Sequence, residues 1–343
     1  MDVLTRFATW LVKPFVNEPE EVEDDSFLEE TPPLFIPSIT APTVTTKTVF
    51  RPTSFKQFMG QESAKLLLQK FIAGTQARNK PFPHTLICGQ PGYGKTTLAR
   101  IIAAQLNLPI LEVIGNEASS INLLEQLNSG VLFIDEIHSV PRETAETLYP
   151  LMEDFVYKGR PVPPFTLVGA TTEVGEILKN RKPFYDRFKI IINLAEYSLK
   201  ELSSIFSQYQ KKVFPEDKIK SHLYYMIAEN CRATPRHGIR LLETTIYFQG
   251  EISQVLDSFN IIFQGYTYED LKVLEYLAQN PKGVGMQGLT AYLSTTEDNY
   301  IYAIEPYLLK SGLVSRTPRG RKITEQGLKF MEKLLQMTKR KGI

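Results

Sequence analysis

The sequence predicts an α/β protein built on a parallel sheet with helices on both faces, followed by a mainly helical C-terminal part. Short apolar runs that end in small or acidic residues carry the first half of that prediction: HTLICG (84–89), VLFIDE (131–136) and FTLVGATT (165–172). Stretches with helical apolar spacing lie around them, such as ESAKLLLQKFIAGTQA (62–77). Strands that are apolar throughout and alternate with helices belong in a parallel sheet buried from both sides. From residue 196 the apolar period turns helical, in SLKELSSIFSQYQKKV, IKSHLYYMIAEN and TPRHGIRLLETTIYFQ.

At 343 residues the chain is long for one domain, and a prior of about 150 residues per domain gives two or three. The net charge is only +1, so no global field draws the protein to nucleic acid, and DNA binding has to come from a local patch. Cys88 and Cys231 sit in apolar surroundings without disulfide-framework or metal-ligand spacing. They read as buried small hydrophobes in a reducing, cytoplasmic compartment. No apolar stretch reaches the roughly 18 residues that span a bilayer. The start, MDVLTRFATWLVKPFV, is broken by Arg6, Lys13 and Pro14 and is a poor signal peptide.

Taken in order, residues 1–46 form a separate zone. A short amphipathic segment (Val3, Leu4, Phe7, Trp10, Leu11, Phe15) leads into NEPEEVEDDSFLEE, with eight acidic residues and no basic one, and then a Pro- and Thr-rich stretch. Such composition does not bury enough apolar surface to fold alone, so an extended, disordered tail is expected. Its first turns read either as a docking peptide for a recruiting protein or as a helix resting on the protein's own surface. Residues 47–195 hold the sheet and 196–264 a helical unit. Residues 265–343 read as helix, short helix, helix, the basic turn RTPRGRK, and a final helix.

The chemistry concentrates at the ends of the apolar runs. GQPGYGKTT (89–97) fits G-x-x-x-x-G-K-[ST] and sits between the strand HTLIC and the helical LARIIAAQL. That context is what a phosphate loop requires. Its glycines let backbone N–H groups curl round phosphates, and the next helix aims its positive end at them. Lys95 would reach the β and γ phosphates of ATP, and Thr96 would offer its hydroxyl to Mg²⁺. VLFIDEIH ends its strand in Asp135 and Glu136, expected to hold Mg²⁺ through water and to polarise the attacking water respectively. His138 reads as structural or as a bystander. FTLVGATT ends in Thr171 and Thr172, where a hydroxyl could sense the γ-phosphate. ATPRHGIRLLE places Arg236 at a helix start, against the macrodipole, which asks for a negative partner such as ATP phosphate. In KPFYDRFKI, Arg187 stands ahead of an apolar strand, where it could face a neighbouring subunit's nucleotide and supply charge to the transferred phosphoryl group.

In this order the motifs resemble those of the AAA+ ATPases, and within them the RuvB family of Holliday-junction branch migration motors. The likeness runs from about residue 50 to 335 and is carried by FRPTSFKQFMGQE, GQPGYGKTTLA, VLFIDEIH, LYPLMEDF, PPFTLVGATT, DRF, ATPR and IEPYLLKSGLVSRTPRGR. It implies an AAA+ sheet domain, a small helical lid over residues 196–264 and a C-terminal winged helix. By resemblance, Phe50 and Arg51 border the adenine, while Gly92, Gly94, Lys95, Thr96 and Thr97 form the phosphate loop. Glu153, Asp154 and Phe155 lie next to the nucleotide, and Tyr197 and Arg236 close the site from the lid. Arg187 matches the arginine finger, and Arg316, Arg319 and Arg321 fall on a wing that touches DNA. The wing, LLKSGLVSRTPRGRK, has no acid, so it suits contact with phosphates at any sequence.

Three departures accompany the likeness. Only Val156–Val162 separate MEDF from PPF, where the family has a hairpin that engages the junction-binding partner RuvA, so docking of that kind is not expected. Tyr185 stands where the family has another arginine. The N-terminal tail is extra, which points to recruitment by a different partner through residues 3–15. The function expected is an ATP-driven motor acting on double-stranded or branched DNA as a homo-oligomeric ring, a hexamer in this family. A loader that places a helicase or clamp on DNA shares the same ATPase core and is the alternative. A nucleotide-gated scaffold without turnover would require the site to be inert, whereas Lys95, Asp135, Glu136 and Arg187 are all present.

Overall fold

The computed structural model describes residues 50–119 and 129–340, with side chains through residue 336. The tail of residues 1–46, with its docking segment 3–15, lies outside the described residues. The described residues gather into two units, 50–259 and 260–340, each taken by itself below.

In the first unit α1 (Glu62–Gln76) precedes β1 (Thr85–Cys88), α2 (Lys95–Leu106) and β2 (Ile110–Ile114). Then come β3 (Val131–Asp135), α3 (Arg142–Asp154), the hairpin β4 (Val156–Tyr157) and β5 (Arg160–Pro161), and β6 (Thr166–Thr171). The short helices α4 (Val174–Asn180) and α5 (Lys182–Tyr185) lead to β7 (Ile190–Asn193). Five strands pair in the order β2-β3-β6-β1-β7, every pairing parallel. Each of the three apolar runs predicted as strands is one. The residues of β1 and β6 are buried throughout, which is why these runs carry no polar alternation.

This order positions the site. β6 lies between β1 and β3, with Cys88 beside Thr171 and Ile134 beside Gly169. The carboxyl ends of β1, β3 and β6 therefore share one edge of the sheet, where open α/β sheets bind ligands. Below it, Leu86, Leu132, Ile134 and Leu167 pack against Ile137, Leu148, Leu151, Phe184 and Phe188. His84 pins this core: Leu167 N–H donates to its Nδ1 at 2.8 Å, and its Nε2 lies 3.0 Å from Met152 O.

Four helices follow in the same unit: α6 (Leu199–Val213), α7 (Ser221–Asn230), α8 (Pro235–Tyr247) and α9 (Ile252–Ser258). Ser198 and Glu201 form a reciprocal capping box at the start of α6, so the helix begins where the sequence changes period. α6 and α8 approach so closely that a Cβ on Gly238 would stand 1.9 Å from the Phe206 ring.

The second unit opens with a hairpin, β8 (Ile261–Phe263) and β9 (Tyr266–Thr267), ahead of α10 (Tyr268–Gln279) and α11 (Met286–Leu293). The third helix is composite. α12 (Glu297–Asn299) passes through a π turn (Tyr300–Ile304) into α13 (Glu305–Lys310). Pro306 explains the wide turn, because it has no N–H and its ring would strike the carbonyl four residues back in a regular helix. β10 (Val314–Thr317) and β11 (Gly320–Ile323) then form an antiparallel wing, which Val284 extends by bridging Arg321. α14 (Glu325–Arg340) closes the unit. Its core holds Leu274, Leu277, Leu289, Tyr300, Leu308, Leu313 and Met331. Three helices and a β wing make the winged helix that the resemblance implied.

Candidate active site

The phosphate loop runs from the end of β1 into α2. Gly92 and Gly94 take φ of 80° and 95°, which glycine adopts without strain. A Cβ on Gly94 would lie 2.9 Å from the Phe58 ring, and one on Gly92 would lie 3.0 Å from Thr234 and 3.1 Å from Arg236. The loop is thus lodged between the segment before α1 and the first turn of α8. α2 begins at Lys95, so its unpaired N–H groups and positive dipole end face the loop. Lys95 Nζ donates to Gly89 O at 2.9 Å and to Gln90 O at 3.3 Å. Burial lowers the pKa of this ammonium, against the pull of Asp135 and Glu136.

Two acidic side chains meet the loop from the end of β3. Thr96 Oγ1 donates to Asp135 Oδ2 at 3.1 Å, and the Glu136 N–H donates to Asp135 Oδ1 at 3.0 Å. A hydroxyl and a carboxylate facing each other form an oxygen-only donor set, which suits Mg²⁺. Glu136 itself has φ of 51°, in the left-handed region that side-chain-bearing residues seldom occupy. Its carbonyl accepts the Ser139 N–H and hydroxyl, both at 2.8 Å. Gly115 backs this turn, since a Cβ there would come within 2.3 Å of Glu136 O. The Glu136 carboxylate lies 3.5 Å from both Thr172 Oγ1 and His138 Nδ1.

A cavity of about 440 Å³ opens above these groups, toward α6 and α8. The phosphate loop, Asp135 and Glu136 line one side, and Phe50, Arg51, Ile239 and Arg236 line others. Its size suits a small-molecule ligand, and its lining joins the polar phosphate-loop groups with apolar ones such as Phe50, Phe58, Met59 and Ile239. Tyr197 ties the loop to the chain entering α6: its hydroxyl donates to Tyr93 O at 2.9 Å, and the two rings meet edge to face at 5.7 Å. Burial pushes the Tyr197 phenol up to about 12.

Several expected site residues lie elsewhere. Thr171 is fully buried. Its Oγ1 accepts the Glu173 N–H at 2.9 Å and lies 3.0 Å from His138 Nδ1, so it faces the turn after β3 and does not line the cavity. The hydroxyl nearer the Glu136 carboxylate is that of Thr172, and of the two roles open to His138 the structural one fits its place, 3.0 Å from Thr171 Oγ1 and 3.5 Å from the Glu136 carboxylate. Glu153, Asp154 and Phe155 are also absent from the cavity wall. They close α3 on the side where Arg187 lies: Glu153 Oε1 is 3.1 Å from an Arg187 amino group, and the guanidinium covers the Tyr149 ring at 4.6 Å. Phe155 turns its ring toward His84 and Phe165. Arg187 likewise does not line its own chain's cavity. The hairpin β4–β5 that follows α3 is minimal, its turn the exposed pair Lys158 and Gly159.

In the second unit, Arg319 is exposed in the turn of the wing, whereas Arg316 and Arg321 both hydrogen-bond Glu305. Sequence reading found neither this partner nor Gly115. Both depend on residues brought together from separate segments, and single-residue patterns carry no signal of that.

Comparison with known proteins agrees with this architecture. The family model described as the Holliday junction DNA helicase RuvB P-loop domain matches residues 50–194, and the RuvB C-terminal winged helix domain matches 264–332. The RuvB subunit of the Holliday junction branch migration complex from Prochlorococcus marinus is 36% identical over 313 residues, 82% of this chain and 87% of that protein. The corresponding subunit from Thermotoga maritima is 35% identical, over 82% and 92% of the two chains. The solved structure described as the Thermotoga maritima RuvB Holliday junction branch migration motor superposes with a TM-score of 0.70, covering 82% of this chain and 98% of that one. With matches at both its sheet domain and its winged helix, and with relatives this similar along most of its length, the chain belongs to the RuvB family.

Proposed function

We propose that this chain is an ATP-driven motor that moves the branch point of Holliday-junction DNA. One observation carries the reading: the phosphate loop, the Thr96–Asp135 pair, Glu136 and Arg236 converge on one cavity in a chain of this family. Lys95 holds the β and γ phosphates of ATP, while Phe50 and Arg51 flank its base. Thr96 directly and Asp135 through water would hold Mg²⁺, which when bound would neutralise phosphate charge. Glu136 orients and polarises the attacking water, with Thr172 and His138 at 3.5 Å from its carboxylate. Arg236 opens α8 against the loop, so a change at the phosphates is felt by the helical lid. Arg187 lies outside its own chain's cavity, and in a ring, a hexamer by family likeness, it completes the site of the next subunit.

The winged helix contacts duplex phosphates through the wing. Recruitment of the ring falls to a protein bound by residues 3–15, because the hairpin at 156–162 offers a cationic turn in place of an apolar tip. The loader reading loses ground because the relatives are branch migration subunits. The test is ATP-dependent migration of a labelled four-way junction by the purified protein, followed on native gels together with DNA-stimulated ATP turnover. Turnover raised by a second protein but not by DNA, with no junction movement, overturns the proposal.

A further inference from the structure

The wing carries an ion-pair arrangement that its sequence does not announce. Arg316 on β10 and Arg321 on β11 are directly opposed across the hairpin, and like charges in that position repel. Between them sits the carboxylate of Glu305, from the first residue of α13 and wholly buried. Arg316 donates to it through Nε at 3.2 Å and an amino group at 2.7 Å. Arg321 does so at 2.8 Å and 3.3 Å. Burial alone would raise the Glu305 carboxyl, but the hydrogen bonds from Arg316 and Arg321 hold it below the ordinary carboxylate range. The π turn ahead of Pro306 sets the rotation of α13 and with it the direction of this side chain, and the buried ring of Tyr300 in the same turn lies 5.9 Å from the Arg321 guanidinium.

The two arginines are not equivalent. Arg321 keeps 17% of its side chain exposed and Arg316 keeps 58%. A guanidinium has five N–H donors, and the clamp uses two of each, so Arg316 in particular, the more exposed of the two, retains donors for solvent. We infer that Glu305 is a positioning residue for DNA: it fixes Arg316 and Arg321 in place, so that the wing presents ordered cations to duplex phosphates. Holding rotamer-rich side chains in their bound geometry before contact reduces the ordering cost of binding. The inference rests on the proposed role of the wing in binding DNA.

Charge and order make opposite predictions here, which gives the test its force. Replacing Glu305 removes a negative charge, so electrostatics alone predicts tighter DNA binding, whereas loss of positioning predicts weaker binding. The experiment measures affinity of the full chain for a labelled duplex and a labelled four-way junction by fluorescence anisotropy across a salt series. Each variant is first checked for folding by circular dichroism and thermal unfolding. For Glu305→Gln the expected result is an affinity loss of about tenfold, with a salt dependence shallower by about one phosphate contact. A role in folding alone would lower the unfolding temperature and leave the salt slope unchanged. Equal or tighter binding overturns the inference. Should Glu305→Gln fail to fold, Arg316→Lys decides the matter: it keeps the charge and loses the forked contact, so weaker binding is expected and parental affinity overturns the inference. Arg319→Ala separates the two layers. If it too binds like the parent, the wing is not the DNA surface and the underlying reading fails. If it weakens binding while Glu305→Gln does not, only the positioning role fails.

Discussion

A methyl group placed on Gly115 tests how tightly the chain holds its catalytic carboxylate. Gly115 closes a short turn after β2, where an added Cβ would stand 2.3 Å from Glu136 O, 2.6 Å from Ser139 Oγ and 3.1 Å from the Glu136 carbonyl carbon. Ordinary contact begins at 3.4 Å. The Ser139 hydroxyl can rotate away, but the Glu136 carbonyl belongs to a backbone already in the left-handed region, with φ of 51°. To accept Gly115→Ala the turn must therefore retreat by about 1 Å, and a displacement of that size at a catalytic group costs on the order of a hundredfold in rate. Lys95, Thr96 and Arg236 are untouched, so nucleotide should bind almost as before. Steady-state ATP hydrolysis should show kcat reduced about a hundredfold, with KM and the affinity for a fluorescent ATP analogue changed little. A folded Gly115→Ala protein with kcat within about threefold of the parent would refute the claim that Glu136 must sit where this turn puts it.

Two other outcomes follow from the same geometry. Glu136→Gln should retain ATP binding while hydrolysis falls by at least about a hundredfold, checked by single-turnover hydrolysis beside nucleotide binding; parental turnover would show that another group polarises the water. His84 is lowered from 6.5 to about 4, chiefly by burial. Its folded form therefore refuses a proton that the unfolded chain accepts, so its contribution is full above about pH 6.5 and is lost as pH falls toward 4, by up to about 3 kcal/mol. Urea unfolding between pH 7 and 4.5 should show a steeper loss for the parent than for His84→Asn, and parallel curves would contradict this.

The parts of the fold that were legible are those whose signal is local. A phosphate loop is one contiguous segment whose glycines, lysine and threonine must occur in order, and Asp135–Glu136 stand out because two acids end a buried strand. β2 was not singled out: it is an edge strand, Glu112 interrupts its apolar run, and its residues are only half-buried or exposed. The site residues that went unread are defined by contacts across the fold. Gly115 earns its constraint from Glu136, twenty-one positions on, and Arg316 and Arg321 meet a carboxylate that looks, in EPYLLK, like an unremarkable helix start. Thr171 illustrates the limit of period counting. Strand position put it on the correct edge, but which way its hydroxyl points is decided by the Glu173 N–H and the His138 ring.

The proposed motor shares catalysis between subunits, because Arg187 stands apart from the cavity of its own chain. The direct measurement mixes Arg187→Ala protein with Lys95→Ala protein and records ATP hydrolysis in the presence of DNA. Each variant alone should be inactive. In a random mixture, half of the phosphate loops and half of the facing arginines are intact, so about a quarter of subunit boundaries carry both and activity should recover in proportion. A mixture no more active than its components would contradict a shared site and return Arg187 to a role within its own chain.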